Sequence, residues 1–453
     1  MSERIKRYMR VASAFIVIAS SAGLCLTHGI FESSYQFSYT TGKTSNQHKV
    51  EQEEEEEEEE MQSRYTMIIG ALQIAGFIGA HGMRHVAKRR VVSRRLTVLL
   101  GAVVTTGGLL TAGFTRQLWQ LCLTQGVAVG IGSGISYGAA PAIASTGRYI
   151  LAMATGVGGG ALALIVQRIF LACNGNTAVT LRWVALLAGG IQLVGIALAS
   201  GPFHVEPSVE AERIHQPCEA QPEYSRESKM EGPSGRSSGG CQMTQTQCHT
   251  EPPQQSWRIC AGILASHSSA SVYRMGSMVG VLLIPGFVDR MLGHGNKGYS
   301  GASMLALLCS ASAIGGALGM RMISAASTEI RRSHTLRSVV LGLLAITMWG
   351  LWLPASSNGS WVLVSIFCVT HGVLFGMMQQ NAERGNMDGR AAVIAMAALL
   401  GQVVFAVVGI CIAGWLLVGV GDSNSYTPSI VFAAAATTAA SVLAAAAAAL
   451  LLL

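Results

Sequence analysis

Five ionisable side chains lie inside long apolar stretches of this 453-residue sequence: His28, Arg168, His267, Arg274 and His371. An arginine in such surroundings can grip a carboxylate through two parallel hydrogen bonds, and a histidine can exchange a proton near neutral pH. Each has a plainer alternative. A histidine on an apolar helix more often bonds to a neighbouring helix, and Arg168, close to the end of its stretch, can equally extend its head toward the surface. Gln379, Gln380 and Gln402 read as polar links between helices, and Tyr35, Tyr137 and Tyr273 as packing or cavity-lining rings. No pair of carboxylates occurs in these stretches, so proton exchange there would need histidine or an acid group on a bound molecule. Covalent chemistry has no constellation to use: HEXXH, GXSXG and paired CXXC are all absent. Most cysteines stand singly in apolar runs, and Cys241 and Cys248-His249 lack a second ligand pair, so neither metal nor cofactor is expected and the chain is not expected to be an enzyme.

The elements that hold these side chains follow from composition. Half of the residues are hydrophobic, 12% are charged and the mean hydropathy is +0.43, whereas a soluble chain carries roughly a quarter charged residues. The solvent is therefore a bilayer, where a spanning helix needs about twenty apolar residues because its backbone must bond to itself. About twelve runs qualify, near residues 11–31, 65–86, 96–115, 118–142, 149–172 and 182–202, then 258–288, 299–324, 337–354, 359–380, 391–418 and 428–453. The runs at 258–288 and 391–418 are long enough to be tilted or broken. Residues 204–256 are rich in Glu, Gln, Ser, Pro and Gly, cannot bury enough apolar surface to fold, and read as a disordered linker. The expected fold class is an all-α polytopic membrane protein with about 12 transmembrane helices in two six-helix bundles, residues 1–203 and 257–453.

Orientation comes from Lys and Arg, which stay on the cytoplasmic side of short loops. Arg4, Lys6, Arg7 and Arg10 precede the first run; six basic residues from Arg84 to Arg95 fill the link between the second and third; Arg331, Arg332 and Arg337 are read into the link between the eighth and ninth. These are alternate loops. Both termini and the linker are thus expected in the cytoplasm, with the acidic loop at 38–62, including the Glu run ending at Glu60, on the opposite face. The net charge of +7 comes from these loops and forms no stripe for nucleic acid.

A ladder of glycines, Gly126, Gly130, Gly132, Gly134 and Gly138, runs through the fourth stretch, and Gly156 lies in the fifth. Without a hydrophobic drive between helices in lipid, glycines at four-residue spacing let two backbones approach. Packing is the role expected of Gly126, Gly130, Gly132, Gly134 and Gly156; a nucleotide loop is excluded by the missing strand and GK[ST].

Six helices, a linker and six more is the layout of the major facilitator superfamily, and within it the sequence resembles the monocarboxylate porter family, particularly its fungal branch. GLCLTHGIFESSYQF (Gly23 to Phe37) is similar to the family's first helix, YTMIIGALQ (Tyr65 to Gln73) to its W-I-G-S-L-Q, and LWQLCLTQGVAVGIGSG (Leu118 to Gly134) to its fourth helix almost residue for residue. RYILAMATGVGGGALA (Arg148 to Ala163) and LRWVAL (Leu181 to Leu186) match its fifth and sixth. SGASMLALLCSASAIGGALG, LWLPA and THGVLFG give a looser likeness in the second half. Departures stand beside these matches. No acid occurs from Ala71 to Thr115, where the superfamily places the Asp of an inward-gate latch, and Gly315-Gly316 replaces a GR pair in helix eight.

The resemblance implies a two-bundle facilitator that moves a small organic solute, a monocarboxylate or related anion, by alternating access. Arg274, His371, His28, Arg168 and His267 are then the candidate substrate contacts. A facilitator-like sensor or receptor without transport is the alternative. The expected partners are a small-molecule solute and the lipid bilayer; nothing in the sequence sets an oligomeric state. The plasma membrane is the expected location, with the vacuolar membrane as the alternative. Epitope labels at the N-terminus and within 204–256 should react on one face of the membrane and a label within 38–62 on the other; N-terminal and linker labels on opposing faces would overturn this topology.

Overall fold

A computed structural model describes residues 2–31, 66–82, 94–115, 117–144, 148–199, 253–291, 300–325, 330–381, 389–418 and 426–452. The acidic loop at 38–62, the 83–93 segment between the second and third helices, and linker residues 204–252 lie outside the described residues. Twelve long helices, with a four-residue helix Pro141–Ala144 between the fourth and the fifth, make up most of the described part. They are α1 (Glu3–Leu26, continuing past a turn at Thr27 to Phe31), α2 (Thr66–Gly82), α3 (Arg94–Ala112), α4 (Leu118–Ala139), α5 (Arg148–Ala172) and α6 (Thr177–Ala199). The second half has α7 (Pro253–Met291), α8 (Gly301–Ala325), α9 (Ile330–Thr347, prolonged through Met348–Trp352 and Leu353–Asn358), α10 (Trp361–Asn381), α11 (Gly389–Val418) and α12 (Thr427–Leu452). Among the described residues eleven helices are long and apolar enough to cross a membrane, and Thr66–Gly82 is a shorter apolar one.

Several boundaries differ from the sequence reading. α1 begins at Glu3 and α9 at Ile330, so Arg4, Arg10 and Arg337 are helical where loops were expected. The physical reason is that long basic side chains keep their charged heads in the polar layer while the backbone beneath them is already helical. The linker also ends earlier, because α7 starts at Pro253, and α7 and α11 run unbroken despite Pro285 inside α7.

Contacts between helices fix their directions. Along α4, Gly126 meets Leu72, Gly130 meets Gln73 and Gly134 meets Phe77, so α2 and α4 ascend together. Gly101 of α3 meets Ser136, and Gly108 meets Thr124, so α3 descends against α4. Likewise α7 descends against α12, from Gly262 beside Leu451 to Gly276 beside Ala433. Odd-numbered and even-numbered helices therefore point opposite ways, which puts the beginning of α1, α7 and α9 on one side, the terminal side. The end of α1 and the beginning of α2 lie on the other, the far side.

Two far-side hairpins depend on left-handed backbone. Gly359 (φ 59°) ends α9 and donates its N–H to Ala355 O, so only Ser360 separates it from α10. Asn174 (φ 53°) and Gly175 (φ 77°) close α5, with Gly175 N–H on Phe170 O at 3.0 Å. The surface is apolar as well as the core. Leu100, Val103, Trp183, Leu193, Ile346, Val404 and Trp415 are exposed large apolar residues spread over α3, α6, α9 and α11, a surface suited to lipid and not to water. α1 and α7 are central: 78% and 83% of their apolar windows are buried, against 28% for α11.

A methyl group added at Gly130 would overlap Gln73 O, whereas Gly107 of α3 has nothing within 4 Å. In detergent, Gly130→Leu should lower the unfolding midpoint by the equivalent of about 1–3 kcal/mol or more, and Gly107→Leu should leave it unchanged or higher. Equal midpoints for the two variants would show that the α2–α4 contact does not hold the bundle together.

Candidate functional site

The two halves meet along three seams. α5 lies on α8, with Gly156 against Cys309 O and Ala313 and Gly160 against Ala306 O and Ser310. α2 lies against α11, through Met67 with Gly414 near the far side and Gly82 with Leu399 near the terminal side. The end of α1 touches α7, where Gly29 faces Leu282 O and Pro285, and Gly70 of α2 faces Leu282. Polar atoms reinforce the far side: Ser300 at the head of α8 donates to Gln167 Oε1 of α5 at 2.8 Å. Asp289 of α7 accepts the Gly301 N–H at 2.7 Å, so a carboxylate caps α8 where its dipole favours negative charge. Far-side contacts thus bridge the halves at α1–α7, α2–α11 and α5–α8.

The interior of the first half is organised around His28. This side chain is 2% exposed, its Nδ1 lies 3.5 Å from Gln125 Nε2 of α4, and its Nε2 is buried without a hydrogen-bond partner. Gln125 is placed by a local change of helix type: Cys122–Ala128 is a π-helical turn, and Val129 N–H reaches back to Thr124 O. Gln73 of α2 donates to Leu24 O at 3.4 Å and keeps a buried, unpartnered Oε1. Toward the terminal side, Tyr137 packs on Phe77 and His81 with ring centroids 5.0 Å apart in both pairs, and its hydroxyl accepts from Thr155 at 3.4 Å.

The second half buries His371 in an aromatic column. Trp352 stacks on Phe367 at 5.0 Å, Phe367 stacks on His371 at 4.8 Å, and His371 Nδ1 lies 3.3 Å from Thr347 Oγ1. Trp352 Nε1 and His371 Nε2 are both buried without partners. Tyr273 of α7 reaches Phe375 of α10, and the Tyr273 hydroxyl and Ser277 Oγ are likewise buried and unpartnered. Arg274, next along α7, is half-buried.

The structure therefore distributes the five sequence candidates over separate neighbourhoods. His28 joins Gln125 and Gly70; His371 joins Trp352, Phe367 and Thr347; Arg274 sits beside Tyr273 on α7. His267 lies one side of Ser266, near Arg337 and His334. Arg168 is exposed at the far end of α5. Tyr35 and the side chains of Gln379 and Gln380 lie outside the described residues, and Gln402 is half-buried. Arg337 was missed by the sequence reading because it was counted as a loop charge. Its signal was the His334/Arg337 pair at i, i+3 leading into an apolar helix. Arg182, inside the LRWVAL motif, has a structural role: its Nε and Nη2 both donate to Gly113 O, at 3.0 and 2.8 Å, and close the end of α3. Among the described residues no His, Cys, Asp or Glu group could hold a metal.

No family model matches the sequence, and no curated protein matches it. Solved structures do. A D-xylose–proton symporter superimposes with a TM-score of 0.63 at 11% identity, over 96% of this chain and 97% of that one. The xylose transporter XylE from E. coli, partially occluded and inward open, gives 0.61 at 11% identity, over 95% and 96%. The nucleoside transporter NupG gives 0.58 at 11% identity, over 97% and 99%. The fold is that of the major facilitator superfamily.

The far-side bridges cover the beginning of α2, so breaking one should expose it. Gly29→Leu cannot keep α1 against Leu282 O and Pro285. With Thr66→Cys as a reporter, buried in the present state, labelling by an impermeant thiol reagent from the far side should rise at least about tenfold, a bias of about 1.4 kcal/mol. Labelling no faster than in the Thr66→Cys parent would show that this contact does not hold the far side closed.

Proposed function

We propose that the chain carries a small organic anion, a monocarboxylate or a related acid, across a membrane by alternating access. The observation that carries this reading is Arg274. It lies about 20 Å along α7 from Ala261, the start of the apolar span, in one of the most buried helices of the fold. An arginine at such depth costs about 2.5–3.5 kcal/mol or more to insert, which makes it a functional candidate. Its planar fork suits a carboxylate, and the buried hydroxyls of Tyr273 and Ser277 stand beside it on α7.

His28 and His371 extend the proposed path, each held through Nδ1 with Nε2 unengaged. The proposed cycle depends on parting Gly29 from α7 and Gln167 from Ser300 on the far side, and Gly82 from Leu399 on the terminal side. Structures with this fold that are described as nucleoside, xylose and peptide transporters favour transport over sensing without flux. The preference for a monocarboxylate rests on the motif likeness and on Arg274. The basic-loop pattern supports a cytoplasmic terminal side, in the plasma membrane or, alternatively, a vacuolar one.

Purified protein in liposomes, tested with labelled pyruvate and lactate beside xylose, decides the matter. Wild-type protein should accumulate at least one acid, and Arg274→Gln should take it up about ten- to a hundredfold more slowly, the loss expected for one charge-assisted contact. Equal uptake by Arg274→Gln removes that residue from the path. Uptake of xylose with no uptake of either acid defeats the anion reading.

A further inference from the structure

The first turns of α1, from Glu3 to Arg10, stand outside the apolar part of that helix. Val11 to Phe31 gives about 31 Å of helix, enough to cross a hydrocarbon layer of about 30 Å. Arg10 then lies at the edge of that layer, with Arg7 about 6 Å and Arg4 about 10 Å outside Val11. This is the depth of the lipid headgroups. At about 100° per residue, Ile5, Tyr8, Met9 and Ala12 share one side of the helix, while Arg4, Lys6, Arg7 and Arg10 occupy the rest of its circumference. Ile5 is 49% and Tyr8 73% exposed, so no described part of the chain covers the apolar side.

The charge on the other side is only partly balanced within the chain. Glu3 is the acid of the first turn, and it holds Lys6 Nζ at 2.6 Å. Arg4 and Arg7 are exposed and make no hydrogen bond or ion pair with the described residues. Cations in the first turns of a helix also face the positive end of its dipole, so helix formation gives no reason for them here. Orientation in the membrane calls for positive charge on this side. It does not call for an exposed isoleucine and tyrosine among the charges.

We infer that the start of α1 is a docking surface for anionic phospholipids, with Arg4 and Arg7 on the headgroup phosphates and Ile5 and Tyr8 against the glycerol and upper acyl chains. Basic residues gathered immediately before a spanning helix recognise such lipids, each adding about a fivefold preference. An apolar stripe beside them inserts at the boundary between headgroups and chains. A soluble anion would use the arginines and leave that stripe in water, so lipid is the partner that fits both sides of the helix. The surface does not rest on the transport reading, whose test measures uptake of carboxylates.

Native mass spectrometry of the full chain in detergent, titrated with phosphatidylserine or phosphatidylcholine, tests the surface. Wild-type protein should bind the first phosphatidylserine at least about tenfold more tightly than the first phosphatidylcholine. Arg4→Gln/Arg7→Gln should cut that preference at least about fivefold, and Arg4→Lys/Arg7→Lys should keep most of it. Ile5→Ser/Tyr8→Ser, with every charge in place, should weaken phosphatidylserine binding at least about fivefold. Equal affinities of wild-type protein for the two lipids overturn the surface, as does a full preference in Arg4→Gln/Arg7→Gln. Undiminished binding by Ile5→Ser/Tyr8→Ser overturns lipid as the partner, and so does equal competition by glycerophosphoserine, the same headgroup without acyl chains. Should the arginine variant fail to fold, these last two measurements decide.

Discussion

Lipid removes the usual reason for helices to associate, and its replacement here is the approach of one backbone to another across small residues. α4 shows the device on two faces. Gly126, Gly130 and Gly134 lie against α2, while Gly132, about half a turn around the axis from Gly130, lies against Gly101 O and Thr105 of α3. In α5 the run Gly158, Gly159, Gly160 divides its neighbours: Gly158 faces Ala19 of α1 in its own half, whereas Gly160 faces Ala306 and Ser310 of α8 in the other. The seam between halves is thus built of the same small atoms as the bundles themselves. Along α5 and α8 that seam has few interlocked side chains.

Directional bonds have a different distribution. Ser13 donates to Gly195 O, Ser269 to Ala440 O and Ser429 to Ala413 O, each at 2.6–2.7 Å and each between helices of one half. Arg182 on Gly113 O does the same between α6 and α3. Bonds of this kind fix the register of a bundle because they fail over a shift of an ångström or so. Small-residue contacts tolerate such a shift. Such bonds gather within the halves, with Ser300 on Gln167 Oε1 crossing the seam at its far end.

The twelve spans were legible because each needs a run of apolar residues that nothing else in a sequence explains. Their ends were less so. Arg4 and Arg337 look like loop residues in a count of charges, but a helix can continue through the polar layer while basic heads reach outward. The individual histidines could be found from their apolar surroundings; their company could not. His267 belongs with Arg337 on another helix, and His371 belongs with Trp352, contacts between residues far apart in the chain. Residues inside the family-like motifs fared better than periodicity alone would suggest: Gln73, Gln125 and Arg182 all sit in those segments and all bond across helices.

The π-helical turn in α4 was invisible to periodicity, yet it reconciles two demands on that helix. Trp119 and Leu123 before or within the turn and Ile131 after it are all exposed to the lipid side. In a regular α-helix, Trp119 and Ile131 would be about 120° apart around the axis, because twelve steps of 100° overshoot three turns by that much. A single inserted residue takes up roughly 100° of the excess, so the two share a face. The same insertion lets Gln125 turn toward His28 while Gly126, one residue later, begins the ladder on α2. Without it, either an apolar residue would leave the lipid surface or the glutamine would leave the histidine. The turn is therefore what allows one helix to face lipid, pack on a backbone and hold a buried imidazole at once.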